Sequence, residues 1–203
     1  MRPLGRARSL AAVAVVLLAT ADARTAPAAA ARLPRQDVLP VVGGPGGTSF
    51  AQVCPTGHVL TGIRARRSAT LDAIGVRCRP VLSNGTLGPE VDAGPVWGGP
   101  GGRAFAPSCS PSHVIAEQVA RFDGTHLSAV RYHCFRWDAA TRRWDAASGR
   151  RAAIVVVAPG AVPGPSSTND TSTPCPTTAR PADGVRGRSG MLVDAIGIRC
   201  DLP

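Results

Sequence analysis

Apolar and polar residues alternate along three stretches of the chain, and each stretch ends in a cysteine. The octapeptide LDAIGVRC places Ile74, Val76 and Cys78 on one face of an extended backbone, and LSAVRYHC (127–134) and VDAIGIRC (193–200) alternate in the same way. A period of two is typical of a β-strand with one buried face. We therefore predict three strands whose cysteines point into the core.

Residues 113–121, HVIAEQVAR, taken alone fit a helix. They align with residues 58–66, HVLTGIRAR, in which a central glycine and β-branched neighbours favour a strand. Clusters of Gly, Pro, Asn and Ser supply turns between the apolar runs. These clusters lie at 43–48, 83–89, 98–102 and 159–169. The pattern predicts an all-β domain with little helix.

The chain repeats itself three times. GGPGGTSF at 43–50 returns as GGPGGRAF at 98–105, and a third copy lacks this opening but keeps the strand at 193–200. Internal repeats of this kind indicate equivalent units that bury a shared core. We therefore predict one domain with approximate threefold symmetry. It covers residues 39–203, with repeats at 39–82, 94–138 and 153–203.

The six cysteines fall into three pairs with separations of 24, 25 and 25 residues. Sequence alone does not choose among the connectivities of six cysteines, but the regular spacing favours one bridge inside each repeat. The bridges are then Cys54–Cys78, Cys109–Cys134 and Cys175–Cys200. Each would stabilise the fold by about 3 kcal/mol through loop closure. No Cys-x-x-Cys occurs and the four histidines lack ligand spacing, so we expect neither a metal nor a cofactor.

The first 23 residues have the order of a secretory signal peptide: arginines, an apolar run at 10–19, and the small-x-small segment Ala-Asp-Ala. The apolar run is about half of the ~20 residues that a spanning helix needs. We therefore expect no membrane span, a mature N-terminal extension at 24–38, and a secreted protein whose cysteines are oxidised.

All 23 basic residues are arginine, and the formal net charge is +10. A surplus of this sign favours anionic glycans, acidic surface polymers or nucleic acid. The arginines are scattered, however, and four Phe and one Tyr supply few rings for base stacking. We therefore expect no nucleic-acid partner.

The spacing GG-x-GG-xx-F-xxx-CP-x-G, followed by an apolar strand and then by D-A-I-x-[VI]-R-C, resembles the repeat of the vitelline membrane outer layer protein I family. That resemblance implies the β-prism I fold: three Greek-key four-stranded sheets with pseudo-threefold symmetry, one sheet and one disulfide for each repeat.

The third repeat is also similar to the last sheet of jacalin-like lectins, which share this fold. Gly190 and Asp194 in GMLVD match their G-x-x-x-D sugar loop. The resemblance implies that Gly190 lets the backbone approach a sugar and that Asp194 accepts hydrogen bonds from two adjacent hydroxyls. Met191 and its neighbours supply no ring to stack on the sugar.

The other two repeats depart from this motif. Ser68 replaces the glycine in the first repeat while Asp72 is kept, and the second keeps Gly124 while Ser128 replaces the aspartate. We include Asp72 with Gly190 and Asp194 as candidate sugar-binding residues. The alternative for both aspartates is structural, because an Asp that opens a strand also bonds the backbone of its own turn.

These residues favour a secreted, carbohydrate-binding protein with glycans or cell-surface polysaccharide as partners. One alternative is an extracellular structural or partner-binding protein without a small ligand, for which Trp137 and Trp144 would offer a surface patch if they do not cover the core. A second alternative is an enzyme acting on polysaccharide. Glycoside hydrolysis needs two carboxylates about 5–9.5 Å apart, and most of the repeat-linked aspartates are expected at equivalent places in different sheets, so we predict no catalytic residues. These aspartates are Asp72, Asp123, Asp183 and Asp194.

Overall fold

The computed structural model describes residues 39–150, 152–157 and 170–200. The predicted signal peptide, the N-terminal extension and the turn cluster at 159–169 lie outside the described residues. The described residues form thirteen strands and one short 3-10 helix, Ala146–Ser148. The strands are β1 (Val42–Gly43), β2 (Thr48–Val53), β3 (His58–Arg67), β4 (Leu71–Pro80), β5 (Val91–Gly98), β6 (Arg103–Phe105), β7 (His113–Phe122), β8 (Leu127–Asp138), β9 (Arg143–Trp144), β10 (Ala152–Val157), β11 (Asp170–Pro174), β12 (Gly184–Ser189) and β13 (Val193–Arg199).

Three antiparallel sheets contain these strands. Sheet 1 has the order β1-β13-β12-β2, sheet 2 the order β5-β4-β3-β6, and sheet 3 the order β10-β8-β7-β11. Sheet 3 also carries β9, a two-residue strand that pairs with β8. The three sheets place equivalent strands in the same order, which confirms the predicted all-β fold with approximate threefold symmetry. The segment at 113–121 lies in β7, as its alignment with 58–66 predicted.

The sequence repeats do not coincide with the sheets, contrary to the expectation of one sheet for each repeat. The first repeat contributes β1 and β2 to sheet 1 but β3 and β4 to sheet 2, and sheet 1 is completed by β12 and β13 from the other end of the described chain. Strand periodicity reports which face is buried but not which strand lies alongside. Long-range pairing therefore had to come from the structure.

The predicted disulfides are confirmed, and the offset between repeats and sheets gives them a structural role. The three bridges join Cys54 to Cys78, Cys109 to Cys134 and Cys175 to Cys200. In the first, Cys54 follows β2 of sheet 1 while Cys78 lies on β4 of sheet 2. Because each bridge stays inside one repeat, each one links two neighbouring sheets.

The core lies between the sheets and is built from the alternating strands. Ile74, Val76 and Cys78 are fully buried, as their period predicted. Gln118 is a buried polar exception, and its amide nitrogen donates to the carbonyl of Ile196 across the sheet boundary (3.2 Å). Larger side chains fill the remaining volume, chiefly Tyr132, Leu60, Ile63, Ile115, Ile196 and Ile198.

The glycine in the repeated sequence DAIG has a packing reason. On sheet 2, residues 94–96 leave the β4–β5 ladder and pass over Gly75, where a Cβ atom would lie 3.2 Å from both the Pro95 carbonyl oxygen and Val96 Cγ2. Gly197 on sheet 1 lies under Pro40 and Val41 in the same way. On sheet 3 the equivalent residue is Arg131, and there β10 pairs with β8 without interruption. The glycine therefore marks the two sheets whose outer strand arches over its neighbour.

Candidate functional site

The two GGPGG segments are turns, as predicted, and each packs against the aspartate of its own sheet. In sheet 1 the segment joins β1 to β2. A Cβ atom on Gly46 would lie 2.6 Å from Asp194 Oδ1, and one on Gly47 would lie 2.6 Å from Asp194 Oδ2. Gly47 also has a φ of 63°, which glycine adopts without strain. Any other residue would therefore displace either the loop or the carboxylate.

An arginine fixes each glycine loop. Arg188 on β12 donates from Nε to the carbonyl of Gly46 (2.8 Å) and from Nη2 to the carbonyl of Gly47 (2.7 Å). On sheet 2 the equivalent Arg66 donates to the carbonyls of Gly101 (2.8 Å) and Gly102 (2.9 Å). The planar guanidinium suits two adjacent acceptors. The sequence pattern had indicated no role for these arginines.

The Asp194 site consists of the glycine loop 44–47 and the turn 189–194. Asp194 Oδ2 is buried and accepts no hydrogen bond from the described residues. A buried carboxylate oxygen without a hydrogen-bond donor is unfavourable, so a hydrogen bond from a ligand would stabilise it. The turn above it is open: Met191 is 73% exposed, and Gly190 has no side chain. Asp194 as a whole is half-buried, so a ligand that approaches over Gly190 could contact its exposed part, and Oδ2 would become accessible if the turn 190–192 shifted.

Gly190 is distinguished by its missing side chain and not by an unusual backbone. It is absent from the positive-φ residues, and a Cβ atom there would make ordinary contacts, 3.7 Å from Gly47 Cα and 4.0 Å from Asp194 Oδ2. The expected close approach of a ligand at Gly190 would therefore depend on the absence of a side chain. Any larger side chain at position 190 would stand beside the carboxylate.

The Asp72 site on sheet 2 has the same frame but a different carboxylate environment. Cβ atoms on Gly101 and Gly102 would lie 2.7 Å and 2.6 Å from the two oxygens of Asp72. Here Ser68 Oγ lies 3.1 Å from Oδ1 and 2.9 Å from Oδ2 of Asp72, and its one hydrogen is shared between them. Asp72 is 5% exposed. Asp72 therefore has a partner in its own turn, although this partner is a serine hydroxyl and not the backbone considered from the sequence.

Sheet 3 has no carboxylate at the equivalent position. Ser128 there is bonded only weakly, to the Arg121 carbonyl at 3.5 Å. Arg121, the counterpart of Arg66 and Arg188, instead donates to Asp170 on β11 (2.7 Å). Asp123 closes its own turn, because it accepts from the backbone N–H groups of His126 (2.7 Å) and Thr125 (2.8 Å), which lower its pKa.

The three sheets meet at this end of the prism. The backbone of Met191, in the turn of sheet 1, packs against Gly99 in the glycine loop of sheet 2. Phe122 at the end of β7 packs against Gly44, where a Cβ atom would lie 3.3 Å from its ring. The Asp194 and Asp72 sites are therefore neighbours at one end of the molecule.

The two tryptophans cover the core and do not form an exposed patch. Trp137 and Trp144 are each 7% exposed, and their indole N–H groups donate to the carbonyls of Gly85 (2.8 Å) and Thr177 (3.0 Å). Trp144 also packs against Phe135 with ring centroids 4.8 Å apart. The surface patch considered for a partner-binding protein is therefore not present at these residues.

A buried acidic network on sheet 3 was not indicated by the repeat pattern. Glu117 accepts from Arg150 through both carboxylate oxygens (2.6 and 2.8 Å), from Ser172 (2.6 Å), and lies 2.8 Å from His133 Nδ1. Burial alone raises the pKa of Glu117, but the hydrogen bonds from His133, Arg150 and Ser172 outweigh it and lower that pKa to about 2. All its acceptor sites are used within the fold, so the network ties β7, β8 and β11 together.

The remaining candidate acids have different surroundings. Asp183 precedes β12 and lies 3.7 Å from Arg199, while Asp72 and Asp194 belong to different sheets. In the part of the chain that the structure describes, no group of three or more His, Cys, Asp or Glu residues is placed to hold a metal ion. Within the same residues, no helix has the length and apolar character needed to cross a membrane.

Comparison with known proteins finds similarity at the level of structure. No protein-family model and no curated protein matches the sequence. Malaysian banana lectin is similar over 81% of this chain and 96% of its own, with 16% identity and a TM-score of 0.52. Frutapin, a lectin from Artocarpus incisa, is similar over 82% and 98%, with 14% identity and a TM-score of 0.51. Artocarpin, solved as a mannotriose complex, is similar over 79% and 96%, with 16% identity and a TM-score of 0.50.

These neighbours are jacalin-related lectins, and the chain has their β-prism I fold. The predicted fold class is therefore confirmed. The similarity to the vitelline membrane outer layer protein I family stays a prediction.

Proposed function

We propose that this chain is a secreted carbohydrate-binding protein whose sugar site is formed by Asp194, the glycine loop 44–47 and the turn 190–194. The observation that carries the proposal is the carboxylate of Asp194. Asp194 is half-buried beside an exposed turn, and its Oδ2 has no donor among the described residues, so a sugar hydroxyl would supply the missing hydrogen bond once the turn admits it. Two adjacent hydroxyls on a sugar supply two donors at the spacing of a carboxylate, in charge-assisted hydrogen bonds.

The loop 44–47 supports this role through its shape. Apart from Pro45 it carries no side chains, and residues 45–47 are exposed beside Asp194. Arg188 fixes the position of the loop through two carbonyls. A preorganised loop loses little conformational freedom when a ligand binds. The structural neighbours named above are lectins, and one of them was solved with mannotriose, so the fold is compatible with this use.

Secretion and the signal peptide at 1–23 are part of the proposal, and the three disulfides are compatible with an oxidising compartment. Hydrolysis of polysaccharide is not favoured, because the Asp72 carboxylate is bonded by Ser68 inside the fold, whereas an oxygen of Asp194 has no donor among the described residues. The proposed activity is therefore binding without chemistry.

The test is a glycan array on the oxidised chain, followed by titration of the best glycan. Asp194→Asn removes the charged acceptor and should weaken binding by at least about a hundredfold, with little change in melting temperature. Asp72→Asn is the matched control and should leave affinity within about twofold of the parent. Absence of any glycan ligand for the parent protein, or full binding by the Asp194→Asn variant, would overturn the proposal.

A further inference from the structure

A groove of about 560 Å³ lies on sheet 2, away from the aspartate of the sugar site. It exists because the two outer strands of sheet 2, β6 and β5, are incomplete. On one side β6 has three residues, and on the other β5 leaves the ladder at residues 94–96 and arches over Gly75. The space between them is lined mainly by apolar side chains, those of Val96, Ala65, Ala104, Phe105 and Ala106.

The walls of this groove are positively charged. Arg64 and Arg66 both line it, and each is held by neutral carbonyl oxygens: Arg64 by Gly94 (2.5 Å), Arg66 by Gly101 and Gly102. Carbonyl oxygens orient a guanidinium without cancelling its charge. The carboxylate of Asp92 lies 3.5 Å from Arg64, is 54% exposed and is shared with another arginine, so it compensates part of the charge at one end.

An aromatic surface completes the groove. Phe105 is half-buried, with the guanidinium of Arg67 4.8 Å from the centre of its ring. Val96 on the facing side is 39% exposed. A flat ring placed between them would contact Phe105 and Val96, and its edge would face the arginines.

Sheet 1 contains the equivalent groove in a reduced form. It measures about 340 Å³ and is lined by the counterparts Val41, Phe50, Arg186 and Arg188. Phe50 there is 6% exposed because it stacks on Trp97 of sheet 2, with ring centroids 5.6 Å apart. The Phe50 ring therefore packs inside the fold, and the sheet 1 groove serves as a control for the sheet 2 groove.

We propose that the sheet 2 groove is a second binding site, independent of the sugar site, for a small aryl carboxylate. The apolar floor and Phe105 take the ring, and the positive wall formed by Arg64 and Arg66 takes the carboxylate. The volume falls in the range of about 300–1,000 Å³ that is usual for small-molecule sites. The excess of guanidinium groups over carboxylates at the groove selects an anion over a neutral ligand of the same shape.

The experiment is an NMR titration of the full oxidised chain with 2-naphthylacetate and, in parallel, with 2-naphthylacetamide. The acid should bind saturably and perturb the amides of residues 96 and 104–106, while the amide should bind about tenfold more weakly. Val96→Asp places a carboxylate beside Arg64 and should weaken the acid by at least about tenfold. Val41→Asp, the same change in the sheet 1 groove, should leave it unchanged.

Two further measurements keep the test decisive. Both Asp variants are checked by thermal denaturation. If Val96→Asp fails to fold, Phe105→Leu, which stays apolar but removes the ring, should weaken binding of the acid about threefold. Equal binding of acid and amide, no saturable binding, equal losses in Val96→Asp and Val41→Asp, or binding of acidic aromatic peptides in place of naphthylacetate would each overturn the proposal. None of these outcomes depends on glycan binding.

Discussion

Sheets 1 and 2 carry the same glycine loop, the same arginine that holds it and the same aspartate, but their carboxylates have different partners. In sheet 2 the hydroxyl of Ser68 lies within hydrogen-bonding distance of both oxygens of Asp72. In sheet 1 the residue at that position is Gly190, and Asp194 Oδ2 accepts nothing from the described residues. One side chain therefore separates an aspartate that has a donor inside the fold from an aspartate whose Oδ2 has none among the described residues, and the second is the one we propose for the sugar.

The backbone around the two aspartates is alike, so the difference is chemical. The N–H of Gly190 donates to the carbonyl of Leu192 (2.9 Å), and the N–H of Ser68 donates to that of Thr70 (3.1 Å). In both sheets the glycine loop donates a backbone hydrogen bond of 2.9 Å to the carbonyl of the aspartate. Exchanging the residues at 68 and 190 therefore tests the comparison directly.

Gly190→Ser should have the largest effect. The turn accommodates a Cβ atom at position 190, and a serine there would donate to Asp194 as Ser68 donates to Asp72. We expect glycan affinity to fall by about a hundredfold, because the ligand must then displace an internal hydrogen bond and pass a side chain. Isothermal titration with the best array glycan measures the loss. Parental affinity in a folded Gly190→Ser variant would show that the carboxylate does not contact the ligand.

Ser68→Gly is the reverse exchange and should uncover a second site. Asp72 would lose its donor, so stability should fall by about 1 kcal/mol, and glycan stoichiometry should rise from one toward two in titrations at high ligand concentration. Ser68→Ala is the matched control, because it removes the hydroxyl but keeps the Cβ atom. If Ser68→Gly lowers stability without adding a site, the burial of Asp72, and not its hydrogen bond from Ser68, prevents a ligand from binding at sheet 2.

The features of the fold that depend on local sequence pattern could be predicted from the sequence. Period-two alternation placed β4, β8 and β13, and the spacing of the cysteines identified all three bridges. The loss of the loop glycine at Ser68 was also visible, and it marks the site that the structure shows to be internally bonded.

The remainder depended on contacts between distant parts of the chain. The glycine loop of sheet 1 and Arg188 lie 142 positions apart, and nothing in the local pattern indicates that they meet. The pairing of the first two strands with the last two has the same origin. Periodicity fixes the buried face of a strand but not its neighbour, so the site at Asp194 could be proposed from a motif but not assembled from sequence.

The two aspartates should also differ in their contribution to stability. Asp72→Asn replaces a buried, hydrogen-bonded carboxylate and should lower the free energy of unfolding by about 1 kcal/mol, which corresponds to about 2–4 °C in melting temperature for a domain of this size. Asp194→Asn should change it by less than about 0.5 kcal/mol, since Oδ2 has no internal donor to lose. Differential scanning calorimetry of both variants gives the comparison. Equal destabilisation would assign both aspartates to the fold and remove the distinction between the sheets.

The smallest expected effect concerns the arginines that hold the loops. Arg188→Lys keeps the positive charge but loses the planar fork that reaches two carbonyls at once, so the loop 44–47 should become less ordered beside Asp194. A loop that must be ordered on binding lowers affinity, and we expect a loss of about threefold in glycan affinity at nearly constant melting temperature. Arg66→Lys makes the same change on sheet 2, where the carboxylate is already bonded by Ser68, and should leave glycan affinity unchanged. If the two lysine variants lose affinity equally, the loss reflects general loosening of this end of the prism, and the sites on sheets 1 and 2 are not independent.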